Sequence, residues 1–176
     1  MPVVQADVDP LDHATASEGF EAFYQRDYQA VVQLAYALSG SRLAAEDIAQ
    51  EAFLRAFRDW ETIRNPPAWV RKVAVRRATR TMHRRLLEAR ALGRLLAGRG
   101  PAVAELPEQD AQVWRAVRAL PRRQAQVIAL RYVADAPVAE IAHTLGLAEG
   151  TVKAQLHRAR QALATRLASA WEADHA

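Results

Sequence analysis

The sequence contains no cysteine, no long apolar run and no N-terminal segment of the secretory type. The absence of thiols excludes disulfides and thiolate metal sites, and it is compatible with a reducing compartment. A membrane-spanning helix needs roughly 20 consecutive apolar residues, and no stretch of this chain approaches that length. We therefore expect a cytoplasmic protein that makes no membrane contact by itself.

Residues for enzymatic chemistry are also scarce. The five histidines stand at positions 13, 83, 143, 157 and 175, and no two of them have the spacing of metal ligands. The sequence has neither a glycine-rich phosphate loop nor a recognisable nucleophile motif. We accordingly expect no enzyme, no metal site and no cofactor.

What the chain does have is an uneven distribution of charge. Its 176 residues carry a net charge of +4, which by itself favours an acidic partner only weakly. Residues 1–63 hold eleven acidic and four basic side chains, whereas residues 64–100 hold one acidic and eleven basic ones. Such block asymmetry indicates that different stretches of the chain meet different partners.

The stretch from residue 138 to residue 163 has the pattern of a helix-turn-helix. Its first segment ends at Gly146, a residue that tolerates the positive φ of a sharp helix end. A second segment begins near Glu149 and places apolar residues on one face, at Val152, Leu156, Ala159 and Leu163. Its opposite face is basic. One packed side and one basic side are typical of a helix that reads the DNA major groove, although two amphipathic helices of any small bundle would share these features.

The N-terminal third reads as a tail followed by two helices. Residues 1–16 are acidic and contain two prolines, so we predict a flexible tail and a first helix that Ser17 caps. Ser39 and Gly40 end this helix, and Ser41 caps the second. The second helix has an apolar stripe that begins at Leu43, and opposite it lies an acidic and amide patch of Glu46, Asp47, Gln50 and Glu51. Most such patches are merely solvated.

A strongly basic third helix follows a loop. Residues 61–67 form the loop, because Asn65-Pro66-Pro67 interrupts the helical pattern. The helix after it carries cations at Arg71, Lys72, Arg76, Arg77, Arg80, Arg84 and Arg85. No acid within this segment relieves their repulsion. A polyanionic partner is the simplest compensation, and a solvated surface is the alternative.

The second half of the chain reads as a separate helical bundle. Residues 86–107 lose the helical pattern and contain glycines and prolines, so we predict a linker over residues 89–107, with the alternative that its first part continues the third helix. Two further helices and the helix-turn-helix fill residues 108–170, and residues 171–176 form a tail. No strand pattern appears. We predict an all-α protein of two small bundles joined by a flexible linker.

Three ordered stretches resemble the extracytoplasmic-function group of bacterial RNA polymerase sigma factors. AEDIAQEAFLRAF (45–57) is similar to the polymerase-binding segment of that family, and AWVRKVAVRRATR (68–80) is similar to its promoter-melting helix. Residues 120–160 resemble its fourth conserved region. The resemblance implies an N-terminal region 2 over residues 17–88, a region 4 over residues 108–170, and no intermediate domain.

The resemblance also implies roles for the N-terminal residues. Asp47, Gln50 and Glu51 would contact the β′ clamp helices of core polymerase. Asn65 would hydrogen-bond a flipped base of the −10 element, and Trp69 would either stack on that base or fill the core. The cations Arg71, Lys72, Arg76, Arg77 and Arg80 would follow the backbone of the captured strand.

In the second bundle, the resemblance implies contacts with the −35 element. Bases would be read by Lys153, Ala154, His157 and Arg158, whereas phosphates would be contacted by Thr151, Gln155 and Arg160. Many family members have Ser-Arg where this chain has Ala154-Gln155, so the −35 preference is left open. Further implied partners are the polymerase β flap, promoter DNA and an anti-sigma factor.

The sequence therefore predicts a transcription initiation factor. One competing function is compatible with the same helix-turn-helix. An ordinary helix-turn-helix regulator with an N-terminal partner domain would share the second bundle. It would have no need of a basic helix behind a strand-capturing loop. We expect co-purification with core polymerase to separate the two functions.

Overall fold

The computed structural model describes the backbone of residues 10–93 and 108–174, and the side chains of residues 19–84 and 112–168. These residues form seven α-helices and one short 3₁₀ helix, and no strand occurs among them. The helices are α1 (Pro10–Ser39), α2 (Arg42–Arg58), the 3₁₀ helix (Trp60–Thr62), α3 (Pro66–Gly93), α4 (Glu108–Arg118), α5 (Arg122–Tyr132), α6 (Val138–Leu145) and α7 (Glu149–Asp174). The predicted all-α class is confirmed. We call α1 to α3 the N-terminal bundle and α4 to α7 the C-terminal bundle.

Local capping explains where the helices of the N-terminal bundle meet. Gly40 has φ +67°, a left-handed conformation that favours glycine, and it lies between α1 and α2. The Ser41 hydroxyl then accepts a hydrogen bond from the Ala44 N–H at 3.3 Å, as predicted for a cap. Asn65 caps α3 in the same way, because its Oδ1 accepts from the Ala68 N–H at 3.1 Å. The loop before α3 is therefore short and fixed where it enters the helix.

Several helix ends differ from the prediction. Helix α1 begins at Pro10 rather than at Ser17, because proline suits a first helical turn and no second proline follows within the segment. Helix α3 continues through residues 89–93, which were assigned to the linker, and α7 continues to Asp174. Of the predicted tails and linker, residues 1–9, 94–107 and 175–176 lie outside the described residues.

The buried apolar residues of the two bundles form one contiguous core. Leu34, Phe53 and Val70 are buried in the N-terminal bundle, and Leu130 and Ile141 are buried in the C-terminal bundle. Helix α1 contacts α4 and α5, and α3 contacts α5 and α6. The two bundles predicted from the sequence therefore also pack against each other in this conformation. Sequence periodicity identifies apolar faces, but it does not identify which face of another element covers them.

Candidate nucleic-acid and partner interfaces

The helix-turn-helix has the predicted geometry. Gly146 takes φ +66° at the end of α6, and the N–H of Leu147 donates to the carbonyl of Ala142 at 2.9 Å, which closes the turn. Val152, Leu156 and Ala159 are buried against the rest of the C-terminal bundle. The turn and the buried stripe together fix which face of α7 points to solvent.

That outward face of α7 carries the residues predicted for the −35 element. Six of them are exposed, namely Thr151, Lys153, Ala154, His157, Arg158 and Arg160. Gln155 is half-buried. Lys153 and His157 are four residues apart, as are Ala154 and Arg158, so these four side chains share one surface of the helix. Their arrangement suits the edge of a DNA groove.

Arg160 is directed toward α5 rather than straight outward. Its Nε donates a hydrogen bond to the Tyr132 hydroxyl at 2.9 Å, and its guanidinium lies 5.8 Å from the centre of the Tyr132 ring. Tyr132 is 54% exposed because it is the last residue of α5, where the helix leaves the core. Sequence reasoning therefore missed Tyr132 as part of this surface.

The basic face of α3 is divided between free and paired cations. Arg76, Arg77 and Arg80 are exposed, while Trp69, Arg71 and Lys72 are half-buried. Arg71 forms an ion pair with Glu140 of α6, and Arg77 forms one with Glu51 of α2. Residues 68–85 of this helix contain no acid, and the carboxylates that pair with Arg71 and Arg77 come from other helices.

Three further cations of α3 form a stripe beside a groove. Lys72, Arg76 and Arg80 lie four residues apart along the helix, and within residues 19–84 and 112–168 they make no ion pair. The groove has a volume of about 360 Å³, and its lining includes Asn65, Trp69, Lys72, His143 and Thr144. A half-buried tryptophan and a lysine at the edge of a groove are groups suited to holding an unstacked base and its phosphate.

Asn65 caps α3 and is also the residue predicted from the sequence to bind a flipped base. Its side-chain oxygen is the cap of α3, so that oxygen is already committed to the Ala68 N–H. The residue is exposed at the mouth of the groove. A hydrogen bond from Asn65 to a base would therefore come from its NH₂ group, which pairs with acceptor atoms on the base.

The outer face of α2 contains more than the predicted polar patch. Asp47 and Gln50 are exposed, whereas Glu51 is half-buried between Arg55, at 2.6 Å, and Arg77. Three apolar side chains lie exposed on the same stripe of the helix, namely Leu43, Leu54 and Phe57. The spacing of residues 43, 47, 50, 54 and 57 alternates between four and three, so they line one face.

Leu43 was predicted to begin the buried stripe of α2, and this is wrong because 73% of it is exposed. The buried stripe consists mainly of alanines, with Ile48 and Phe53, which let α2 lie close to its neighbours. Leu43, Leu54 and Phe57 lie outside this buried stripe. Exposed leucine and phenylalanine side chains on one helix face can mark a protein-binding surface.

The described part of the chain contains neither a candidate metal site nor a candidate membrane-spanning helix. No group of three or more histidine, aspartate or glutamate side chains is placed to hold a metal ion among these residues. None of the described helices combines the length and the apolar character that crossing a membrane requires.

Comparison with known families gives two matches that together span most of the chain. Residues 23–90 match the model of Sigma-70 region 2, and residues 110–163 match that of Sigma-70, region 4. Both matched ranges include surfaces described above. The first contains the loop before α3 and the basic face of α3, and the second contains the outward face of α7.

Individual relatives agree with these matches. The ECF RNA polymerase sigma factor SigW of Bacillus subtilis is 30% identical over 154 residues, which cover 78% of this chain and 82% of SigW. The ECF RNA polymerase sigma factor SigE of Mycolicibacterium smegmatis is 29% identical over 185 residues, covering 92% of this chain and 71% of SigE.

Solved structures show the same fold at lower identity. The sigma factor RpoE of Bartonella quintana, in complex with the anti-sigma factor NepR, superposes with a TM-score of 0.66 at 22% identity. That match covers 85% of this chain and 97% of the other. CnrH in complex with the cytosolic domain of CnrY gives a TM-score of 0.65 at 22% identity, covering 89% and 94%.

Proposed function

This chain belongs to the extracytoplasmic-function group of RNA polymerase sigma factors. We propose that each of its three exposed surfaces has a separate role in transcription initiation. As an alternative sigma factor it binds core polymerase and promoter DNA. The proposal assigns the outer face of α2 to polymerase, the groove and basic face of α3 to the −10 strand, and the outward face of α7 to the −35 duplex. It involves no catalytic chemistry of its own.

The −10 assignment depends on one observation, the groove of about 360 Å³ beside the stripe of Lys72, Arg76 and Arg80. Extracting a base from its stack costs a few kcal/mol, so the extracted base needs a pocket and its backbone needs cations. Trp69 forms part of the groove wall, and Lys72 lies both on that wall and on the cation stripe. A protein that reads only duplex DNA would need neither feature.

The polymerase assignment joins the polar patch to the apolar stripe of α2. Asp47 and Gln50 supply polar contacts for the β′ clamp helices, and Leu54 and Phe57 supply apolar area that is desolvated on binding. Glu51 contributes less directly to polymerase binding than Asp47 and Gln50, because its carboxylate forms ion pairs with Arg55 and Arg77. We further assign the β flap to the C-terminal bundle as a second contact.

The wider assignments follow from family membership. The domain limits proposed from the sequence are kept, with residues 17–88 as region 2, 89–107 as linker and 108–170 as region 4. The related RpoE structure contains the anti-sigma factor NepR, and the CnrH structure contains the cytosolic domain of CnrY. We extend this to the present chain, which would be controlled by an anti-sigma factor in the cytoplasm.

Co-purification with core polymerase tests the proposal. The tagged chain should retain core enzyme, and Gln50→Ala and Leu54→Ala should each lower the retained amount severalfold because both side chains face outward from α2. Gln161→Ala is the matched control, since it removes an exposed side chain from the other bundle. A chain that retains no core polymerase at all would instead support the ordinary helix-turn-helix regulator.

A further inference from the structure

The side chain of Tyr132 stands at the C-terminal end of α5, outside the helix-turn-helix. More than half of it is exposed, so it contributes little to the core of the C-terminal bundle. The end of α5 is nevertheless held in place. The Arg131 guanidinium donates to the carbonyl of Ala136 at 3.2 Å, and the Ala136 N–H donates to the carbonyl of Leu130 at 3.0 Å. Tyr132 is therefore an exposed side chain on a fixed helix end.

The Tyr132 hydroxyl and the Arg160 guanidinium together have unused hydrogen-bond donors. The Arg160 Nε donates to the hydroxyl oxygen at 2.9 Å, which leaves the phenol O–H free to donate elsewhere. The terminal nitrogens of Arg160 also keep their donors, since within residues 19–84 and 112–168 this arginine has no ion pair and no other hydrogen bond. Both side chains are exposed, so these donors face solvent.

A phosphate group is the ligand that fits these donors. Its anionic oxygens only accept hydrogen bonds, and a guanidinium binds them through parallel N–H groups. Tyrosine hydroxyls also donate to phosphate oxygens in protein–DNA complexes. The existing hydrogen bond holds the Arg160 guanidinium at the hydroxyl end of the Tyr132 ring, 5.8 Å from the ring centre. Less side-chain entropy is therefore lost when a phosphate binds between them.

The position of the pair on the molecule favours a phosphate of DNA. Lys153, His157 and Arg160 are spaced by four and three residues, so they follow one another along one face of α7. The N-terminal residues of a recognition helix reach base edges, while neighbouring elements cross the DNA backbone. Arg160 and Tyr132 lie beyond the base-reading residues and are placed for the backbone. A protein carboxylate would fit the same donors, but continuity with the outward face of α7 favours the duplex.

We propose that Tyr132 and Arg160 together bind one phosphate of the −35 duplex, so that the C-terminal bundle contacts DNA from α5 as well as from its helix-turn-helix. Tyr132 donates its O–H to the phosphate and orients Arg160 through the Nε hydrogen bond. Arg160 supplies the positive charge. This inference rests on the duplex-binding role of α7 in the proposed function.

Fluorescence anisotropy with the full chain and a short labelled duplex of random sequence tests this contact, because binding to a phosphate requires no particular base. Tyr132→Phe removes only the hydroxyl and keeps the ring. At low salt it should weaken duplex binding about three- to tenfold, the loss expected for one hydrogen bond. Tyr24→Phe makes the same change at a position of α1 that is 37% exposed, and it should leave the affinity unchanged.

The salt dependence of binding separates a direct contact from a positioning effect. Arg160→Gln removes one charge and should lower the slope of log Kd against log salt by about one. Tyr132→Phe removes no charge, so its slope should equal that of the parent. A slope lowered as far as in Arg160→Gln would mean that the hydroxyl only orients Arg160, which would overturn the direct contact. Tighter binding by Tyr132→Phe would also overturn it, because the hydroxyl would then hold Arg160 away from DNA.

The double variant tests whether the two side chains share one phosphate. When Arg160→Gln is already present, Tyr132→Phe should weaken binding by less than about twofold, because the phosphate is no longer held beside the hydroxyl. An equal loss with and without Arg160 would indicate two independent contacts, and the shared site would then be wrong.

Arg158→Ala, measured with the same duplex, distinguishes failure of this inference from failure of the proposed function. If Arg158→Ala weakens binding and Tyr132→Phe does not, α7 keeps its duplex role and the Tyr132 contact is wrong. If neither variant changes the affinity, or the parent chain does not bind the duplex at low salt, the duplex role of α7 is wrong and the inference fails with it.

Discussion

Replacing Thr79 by valine removes a hydroxyl from the boundary between the two bundles while preserving the shape of the side chain. The hydroxyl accepts the hydrogen bond from the Gln126 amide at 3.1 Å, and both side chains are almost fully buried. Without it, the Gln126 NH₂ group is left in an apolar site with no acceptor. We expect a loss of about 1–3 kcal/mol in the free energy of unfolding, the cost of an unsatisfied buried donor.

Substitution of the hydrogen-bond partner Gln126 should lower the free energy of unfolding by less than substitution of Thr79. Gln126→Leu removes the amide and fills similar volume with apolar atoms, and the Thr79 hydroxyl keeps its bond to the Val75 carbonyl. Arg123, which donates to the Gln126 oxygen, is exposed and can turn to water. The double variant should resemble Gln126→Leu alone, which gives a coupling energy equal to the cost of Thr79→Val, about 1–3 kcal/mol.

Urea unfolding of the four proteins measures this coupling directly. The midpoint and slope of each transition give the free energy, and Thr79→Ser serves as a control that keeps the hydroxyl. If the bundles were separate in solution, both side chains would be hydrated and the effects would add within about 0.3–0.5 kcal/mol. That result would refute the packed arrangement of the two bundles.

The other surfaces give sharper functional predictions. Arg158→Ala should weaken binding of a −35 duplex by about 1–3 kcal/mol in a fluorescence titration while leaving core polymerase retention unchanged. Glu51→Ala should lower core retention, and because it releases Arg77, it should steepen the dependence of log Kd on log salt for DNA by about one unit. Gly146→Ala should destabilise the chain by about 1–2 kcal/mol because φ is +66° there, whereas Gly150→Ala, in a helix with open space around it, should stabilise by about 0.5–1 kcal/mol in urea unfolding. An equal effect of the two glycine substitutions would contradict the backbone argument.

Local sequence patterns were enough to predict the helix-turn-helix. The turn needs a residue that accepts positive φ, and Gly146 supplies it within a short window of apolar periodicity. The caps at Ser41 and the loop break before α3 are equally local. These features depend on residues close in the chain, so composition and spacing determine them.

Relations between helices were not accessible in the same way. Leu43 belongs to an apolar pattern, yet it faces outward because alanines fill the close contacts of α2. The cations of α3 seemed unrelieved because their carboxylates, Glu51 and Glu140, stand far away in sequence. Helical periodicity identifies a face, and only the packing of the whole chain decides what that face meets.

The ends of the helices are a second feature that the sequence did not predict. Tail-like composition at residues 10–16 did not prevent α1 from starting at Pro10, and the weak pattern at residues 89–93 did not end α3. Helix propagation adds one hydrogen bond per residue, so a helix already nucleated by a packed core extends through segments of modest propensity.

Sequencing the transcripts made by core polymerase on genomic DNA, with and without this chain, tests most directly whether it directs promoter choice. The chain should add a set of discrete 5′ ends with shared sequence near −35 and −10. Trp69→Ala combined with Lys72→Ala should abolish these transcripts while core polymerase is still retained. Identical transcripts with and without the chain, despite stable binding to core polymerase, would contradict its assignment as an initiation factor.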